Sequence, residues 1–225
     1  MRRKFIIFLC LLLLMVPVRA DRQEKYLALT FDDGPSGRYT ERLLDGLRER
    51  EVKATFLLCG YRMEDFPGLT KRIFEEGHEI GYHGFSHDNM GTMSRRKIAE
   101  ELEKSGMLLP EGCRPVFLRP PGGESSDGVR QVAEVRLLSI LKWSVDPRDW
   151  ETHDAPRVIE KVLGTVRDGD VILMHDMSDS SVTAALEIVD RLQKEGYRFV
   201  TVSALSELRG VKLKPGVTYK SFPQS

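Results

Sequence analysis

Apolar positions along the chain change period repeatedly, and each change marks a predicted element. Residues 26–31 form an apolar run that predicts a buried strand, and residues 40–51 repeat apolar side chains at helical spacing. Residues 54–58 predict a strand, residues 67–76 a helix stopped by Gly77, and a short extended run follows. Ser94 is placed to cap a helix that runs to Ser105 and stops at Gly106. Beyond it, strand signals at 116–118, 138–143, 171–174 and 197–202 alternate with helix signals at 127–135, 155–167 and 182–195. This alternation predicts an α/β fold on a parallel sheet, open or closed. Residues 209–225, with several Lys, Pro and Gly, predict a loosely held tail.

Residues 1–20 do not belong to that pattern. Arg2, Arg3 and Lys4 precede an apolar run from Phe5 to Val16, and Val18-Arg19-Ala20 follows. This is the layout of a secretory signal peptide, with an uncleaved anchor as the alternative. Cys10 has no small-residue lipobox before it, which argues against a lipoprotein. Export to the cell envelope or the medium is therefore expected, with residues 21–208 as the folded domain.

Charge narrows the partners. The chain holds 34 Lys+Arg and 34 Asp+Glu, and residues 1–20 carry four of the bases and no acid. The remainder has 30 bases against 34 acids, a net charge of −4. No basic run or aromatic-basic interleaving occurs, so a nucleic acid is not expected as partner; a neutral glycan suits the balance better. No membrane contact is expected unless the signal segment is retained, and a monomer is expected. Cys59 and Cys113 are the only cysteines after residue 20. Export would permit a disulfide between them, but spacing alone does not decide whether they meet.

Candidate chemistry gathers at the ends of the predicted strands. Asp32 and Asp33 close the first strand ahead of Gly34-Pro35, which breaks the pleat and lets both carboxylates reach one cleft. His83 and His87 lie four residues apart, a spacing that brings two imidazoles together if the segment coils into a helical turn. Two imidazoles and a carboxylate would bind a divalent metal, zinc first, with cobalt, nickel, manganese or iron as alternatives. Arg119 enters the rigid turn Pro120-Pro121-Gly122-Gly123, where its guanidinium could hold a carboxylate such as Asp32. His175 ends the strand 171–174, where an acid such as Asp149 could orient it as a proton donor. Each feature also has a plainer reading: a solvated Asp-Gly turn, surface histidines, an exposed loop arginine, a strand-capping histidine. His78 and His153 receive no role, and Tyr82, Phe85 and Trp143 read as packing before sugar stacking.

Residues 30–35, 83–87, 119–123, 146–150 and 173–175, taken in order, resemble the five motifs of the polysaccharide deacetylases with a NodB homology domain, carbohydrate esterase family 4. The likeness runs from about Lys25 to about Leu208. It implies a distorted parallel (β/α) barrel of about seven strands. It further implies Asp33, His83 and His87 as metal ligands, Asp32 as general base and His175 as general acid. Arg119 would tether Asp32, Asp149 would tether His175, and Trp150 and Leu173 would line the acetyl pocket. Gly122 stands where the family usually has an aromatic residue; the backbone amide offered to an oxyanion survives that change. The activity implied is metal-dependent removal of N-acetyl groups from a polymeric glycan. O-acetyl ester cleavage, as on xylan, and a catalytically silent exported carbohydrate-binding protein are the alternatives.

Overall fold

The computed structural model describes residues 24–224; the signal-peptide expectation lies outside that range. Eight strands are present among the described residues: β1 Lys25–Asp32, β2 Thr55–Leu58, β3 Glu79–Tyr82, β4 Phe117–Leu118, β5 Ser139–Leu141, β6 Val171–His175, β7 Tyr197–Phe199 and β8 Thr218–Tyr219. Seven form a continuous path in the order β6-β1-β2-β3-β4-β5-β8, all parallel, while β7 pairs with the first residues of β1. The path curls back on itself. Ser144 N donates to Val171 O at 3.0 Å and Leu173 N to Val145 O at 2.9 Å, so the segment after β5 bridges to β6. The result is the expected distorted (β/α) barrel with about seven strands.

The two faces of this sheet explain the strand sequences. Leu27, Leu29 and Phe31 face outward beneath helices Arg38–Glu49 and Asp179–Lys194, where Leu43, Leu44, Leu47 and Ile188 complete the main core. Ala28 belongs to the inner face, with Leu57, Phe117, Leu141 and Val171 as neighbours and Val202, Leu205 and Phe222 in the same cluster. Side chains alternate along a strand, so the inner positions above Ala28 are Thr30 and Asp32. The same count takes Gly81 to His83, Phe117 to Arg119, Leu141 to Trp143, and Val171 to Leu173 and His175. Polar chemistry thus occupies the top inner layer at the strands' C-terminal ends, above an apolar floor.

The predicted cap at Ser94 is present, and the structure adds another at Ser126. Ser94 accepts from Lys97 N ahead of helix Arg95–Gly106, and Ser126 accepts from Val129 N ahead of Asp127–Val135. The helix predicted at 182–195 begins three residues earlier, because Ser178 caps it through Ser181 N. The strand predicted at 197–202 is shorter: Thr201 caps a further helix, Val202–Leu208.

The expectation of a loose tail over residues 209–225 is corrected. Ile140 and Leu141 pair with Thr218 and Tyr219, and Phe222 is buried in the inner cluster with its N donating to Gly169 O at 2.7 Å. Gly169 lies in the left-handed region at φ 88°, and a Cβ there would fall 2.2 Å from Phe222 O, so this approach requires glycine. Among the described residues no helix is long and apolar enough to cross a membrane.

Candidate active site

Strand β1 delivers Asp32 inward and then turns. Asp33 sits at φ 72°, a region that Asp tolerates better than most residues, and this swings its carboxylate to the same side of the cleft as Asp32. Its Oδ1 lies 3.2 Å from His83 Nε2 and 3.0 Å from His87 Nε2. The two histidines do not share a helical turn. Gly84 and His87 both take positive φ, and the intervening loop folds back until the rings stand 5.1 Å apart.

That loop is held from behind by Glu101 on helix Arg95–Gly106. Its Oε2 accepts from Phe85 N at 2.9 Å, Ser86 N at 2.8 Å and Ser86 Oγ at 2.9 Å. Burial opposes its charge, but these bonds outweigh it and lower its pKa. No motif marked Glu101; the available signal was an acid on a buried helix face between Ile98, Leu102 and Ser105.

The donor set has the chemistry of a cation site. His83 Nδ1 lies 2.6 Å from Arg119 O, a carbonyl that can only accept, so Nδ1 carries the proton. In the neutral ring Nε2 then aims a lone pair at Asp33 Oδ1, a buried oxygen with no hydrogen-bond donor assigned to it. Acceptor facing acceptor is relieved by a second proton on the ring or by a metal ion. One ligand atom from each of Asp33, His83 and His87 falls within 4.8 Å of the others. Burial opposes ionisation of Asp33, yet the closeness of both histidines holds it well below the usual carboxylate range, and Asp33 in turn raises His87.

Arg119 is fully buried and supports the other acid. Its Nη1 donates to Asp32 Oδ1 at 2.5 Å and to Thr30 Oγ1 at 2.9 Å, while Nη2 donates to Lys142 O at 2.9 Å. The guanidinium carbon lies 5.5 Å over the Trp143 ring. With Oδ1 taken, Asp32 Oδ2 faces the Asp33, His83 and His87 group, 3.8 Å from His83 Nε2.

His175 lies opposite. Its Nδ1 lies 2.9 Å from Asp149 Oδ1, its backbone N donates to Asp149 Oδ2 at 3.0 Å, and its Nε2 sits 4.0 Å from Asp33 Oδ2. Burial alone would lower its pKa, but the Asp149 hydrogen bond and the nearby carboxylates push it up to about 9. The next residue, Asp176, is fully buried behind the turn at Gly34, and burial pushes it up to about 6.

Asp32, Asp33, His83, His87, Gly122, Trp150, Leu173 and His175 line one cleft of about 390 Å³, with Trp143 and Asp146 completing the wall. Arg119 and Asp149 sit behind it. Gly122 is at φ 64° with open space where a Cβ would be, and beside it Gly123 leaves room for Trp143, which would lie 2.9 Å from a Cβ there. Trp150 is half exposed and Leu173 buried. Several aromatic and histidine residues stand apart. Tyr82 lines a separate cavity with Leu102 and Cys113, His78 is buried with Nδ1 accepting from Ala54 N, and His153 is exposed at the end of helix Asp149–Thr152. Cys59 and Cys113 are buried free thiols.

A curled parallel barrel with a carboxylate, two histidines, a tethered acid and a tethered histidine at its C-terminal rim defines a class of metal-dependent hydrolase-like proteins. The comparisons make the class specific. Residues 19–136 match the family model described as polysaccharide deacetylase, and the chain belongs to that family. It is 38% identical over 200 residues to the peptidoglycan-N-acetylglucosamine deacetylase PgdA of Listeria monocytogenes, covering 88% of this chain and 42% of that protein. It is 37% identical over 188 residues to a peptidoglycan-N-acetylglucosamine deacetylase of Bacillus cereus, covering 81% of this chain and 88% of that one. Among solved structures, a family 4 acetyl xylan esterase from Clostridium thermocellum in complex with a cobalt ion superposes with a TM-score of 0.82 at 34% identity, covering 88% of this chain and 100% of that one.

Proposed function

We propose that this chain hydrolyses N-acetyl groups on a polymeric glycan, peptidoglycan or a chitin-like N-acetylglucosamine polymer, releasing acetate. One observation carries the reading: a tethered carboxylate, a tethered histidine and an Asp-His-His donor set converge in a single cleft. Relatives named as peptidoglycan deacetylases support the substrate class.

Asp33, His83 and His87 are the residues that would hold a divalent metal, zinc foremost with cobalt next. Bound there, such an ion supplies Lewis acidity to the acetyl carbonyl and acidifies water. Asp32, steadied by Arg119, takes a proton from the water that adds to the carbonyl carbon. The Gly122 amide is offered to the oxygen on which charge develops, and Trp150 with Leu173 walls the acetyl methyl. His175 Nε2 then gives its proton to the leaving nitrogen as the C–N bond breaks. Acetate and a free amino sugar result.

The same apparatus would cleave an O-acetyl ester, a second reading favoured by the likeness to the acetyl xylan esterase. The site also accords with a secreted or cell-envelope protein routed by residues 1–20. Acetate release by the full chain from N-acetylglucosamine oligomers, peptidoglycan and acetylxylan separates the readings: release from the first two supports the amide, release from acetylxylan alone the ester. No release from any of them, with zinc bound, contradicts both.

A further inference from the structure

Behind the metal-ligand turn lies a carboxylate that the proposed reaction does not use. Asp176 is fully buried, immediately after His175. A chain of hydrogen bonds with a single direction reaches it: Ser36 N donates to Thr40 Oγ1 at 2.7 Å, and Thr40 Oγ1 donates to Asp176 Oδ2. Ser36 Oγ also donates to the Asp176 carbonyl. The other carboxylate oxygen, Oδ1, has no hydrogen-bond partner and presses against Gly34. A Cβ on Gly34 would lie 2.5 Å from Oδ1 and 2.7 Å from Oδ2.

Gly34 is not in the left-handed region, so its backbone would accept alanine. What demands glycine there is the carboxylate behind it. Asp33, the adjoining residue, does occupy the left-handed region, a conformation that persists only where its surroundings enforce it. Those surroundings include Cys59 N donating to Gly34 O at 3.2 Å on one side, and the Asp176 contacts on the other.

We propose that Asp176 is a positioning residue, clamping the Gly34–Ser36 turn so that Asp33 presents its carboxylate to the cation and stays in register with His175. The inference rests on Asp33, His83 and His87 being the metal site. It locates the acid's function in shape and hydrogen bonding. Asparagine, which can accept from Thr40 and fill the same volume, should therefore replace it.

The test is zinc affinity of the full chain, measured by competition with a chromophoric chelator, alongside thermal melting and the kcat and KM of acetate release. Asp176→Ala is expected to weaken zinc binding about tenfold and to lower kcat with KM little changed, whereas Asp176→Asn stays within about threefold of wild type. Gly34→Ala should weaken zinc comparably in the wild-type background, but by less than about twofold when Asp176 is already alanine, since the space is then free. A purely structural role would move melting and leave zinc affinity unmoved. Asp176→Ala that folds and binds zinc as wild type overturns the inference, as does additivity of the two alanine substitutions. If wild type itself takes up no zinc, the metal-site reading falls, and this inference with it.

Discussion

Asp149 holds His175 with both carboxylate oxygens, one on the ring Nδ1 at 2.9 Å and the other on the backbone N at 3.0 Å. The ring cannot rotate without breaking the first bond, and the strand end cannot shift without breaking the second. Nδ1 therefore carries a proton permanently, and Nε2, turned into the cleft, is the atom that gains and loses one.

The Asp149 bond pushes His175 up to about 9 against the effect of burial, so the acid form persists through neutral pH. Asp149→Asn should move the alkaline limb of kcat downward by about one pH unit or more, read from a pH–rate profile. The linkage has the same sign. A raised histidine pKa contributes stability in full below about 6.5, and that contribution is lost as pH rises through about 9. Wild type should lose more stability than Asp149→Asn across that window in denaturant titrations.

Arg119 and Asp32 form a buried pair in which one partner cannot be spared. Arg119→Ala removes the guanidinium bonded to Asp32 Oδ1 and leaves that buried oxygen without its donor, at a cost of about 3–5 kcal/mol in urea unfolding. Arg119→Lys keeps the charge but cannot reach Asp32, Thr30 and Lys142 O at once, and should fold with kcat reduced about a hundredfold.

Glu101 acts on His87 through the loop it holds. Glu101→Ala removes the shared acceptor of Phe85 N, Ser86 N and Ser86 Oγ, and should weaken zinc binding about tenfold while His83 remains seated on Arg119 O. Isothermal titration with zinc checks this directly. An unchanged affinity would show that the loop holds its shape without Glu101.

The C-terminal segment makes a stability prediction. Phe222 is 1% exposed and stacks with Tyr219 at 5.7 Å, so Phe222→Ala should cost about 3 kcal/mol of unfolding free energy. A tail without structural weight would show no change.

Sequence patterns carried the barrel and the residues at its rim, because strand ends and glycine-proline turns leave local signatures. Helix Asp127–Val135 has the bounds expected from the sequence. What escaped were partners set by the fold alone. Strand β8 is two residues long amid lysines and a proline, and its pairing with β5 has no local signal. The proximity of His83 and His87 follows from left-handed Gly84 and His87, where their spacing suggested a helical turn. Glu101 and Asp176 touch the site through backbone and hydroxyl groups, and such contacts leave no spacing to read.

The most direct test is Asp32→Asn in the full chain, with zinc stoichiometry and acetate release from N-acetylglucosamine oligomers measured on the same preparation. Asparagine preserves a contact for Arg119 and cannot take the proton from water. The expected result is one zinc per chain, wild-type melting and acetate release lowered by about a thousandfold or more. Acetate release at the wild-type rate from the zinc-loaded variant would contradict the assignment of Asp32 as base, and with it the mechanism built on this cleft.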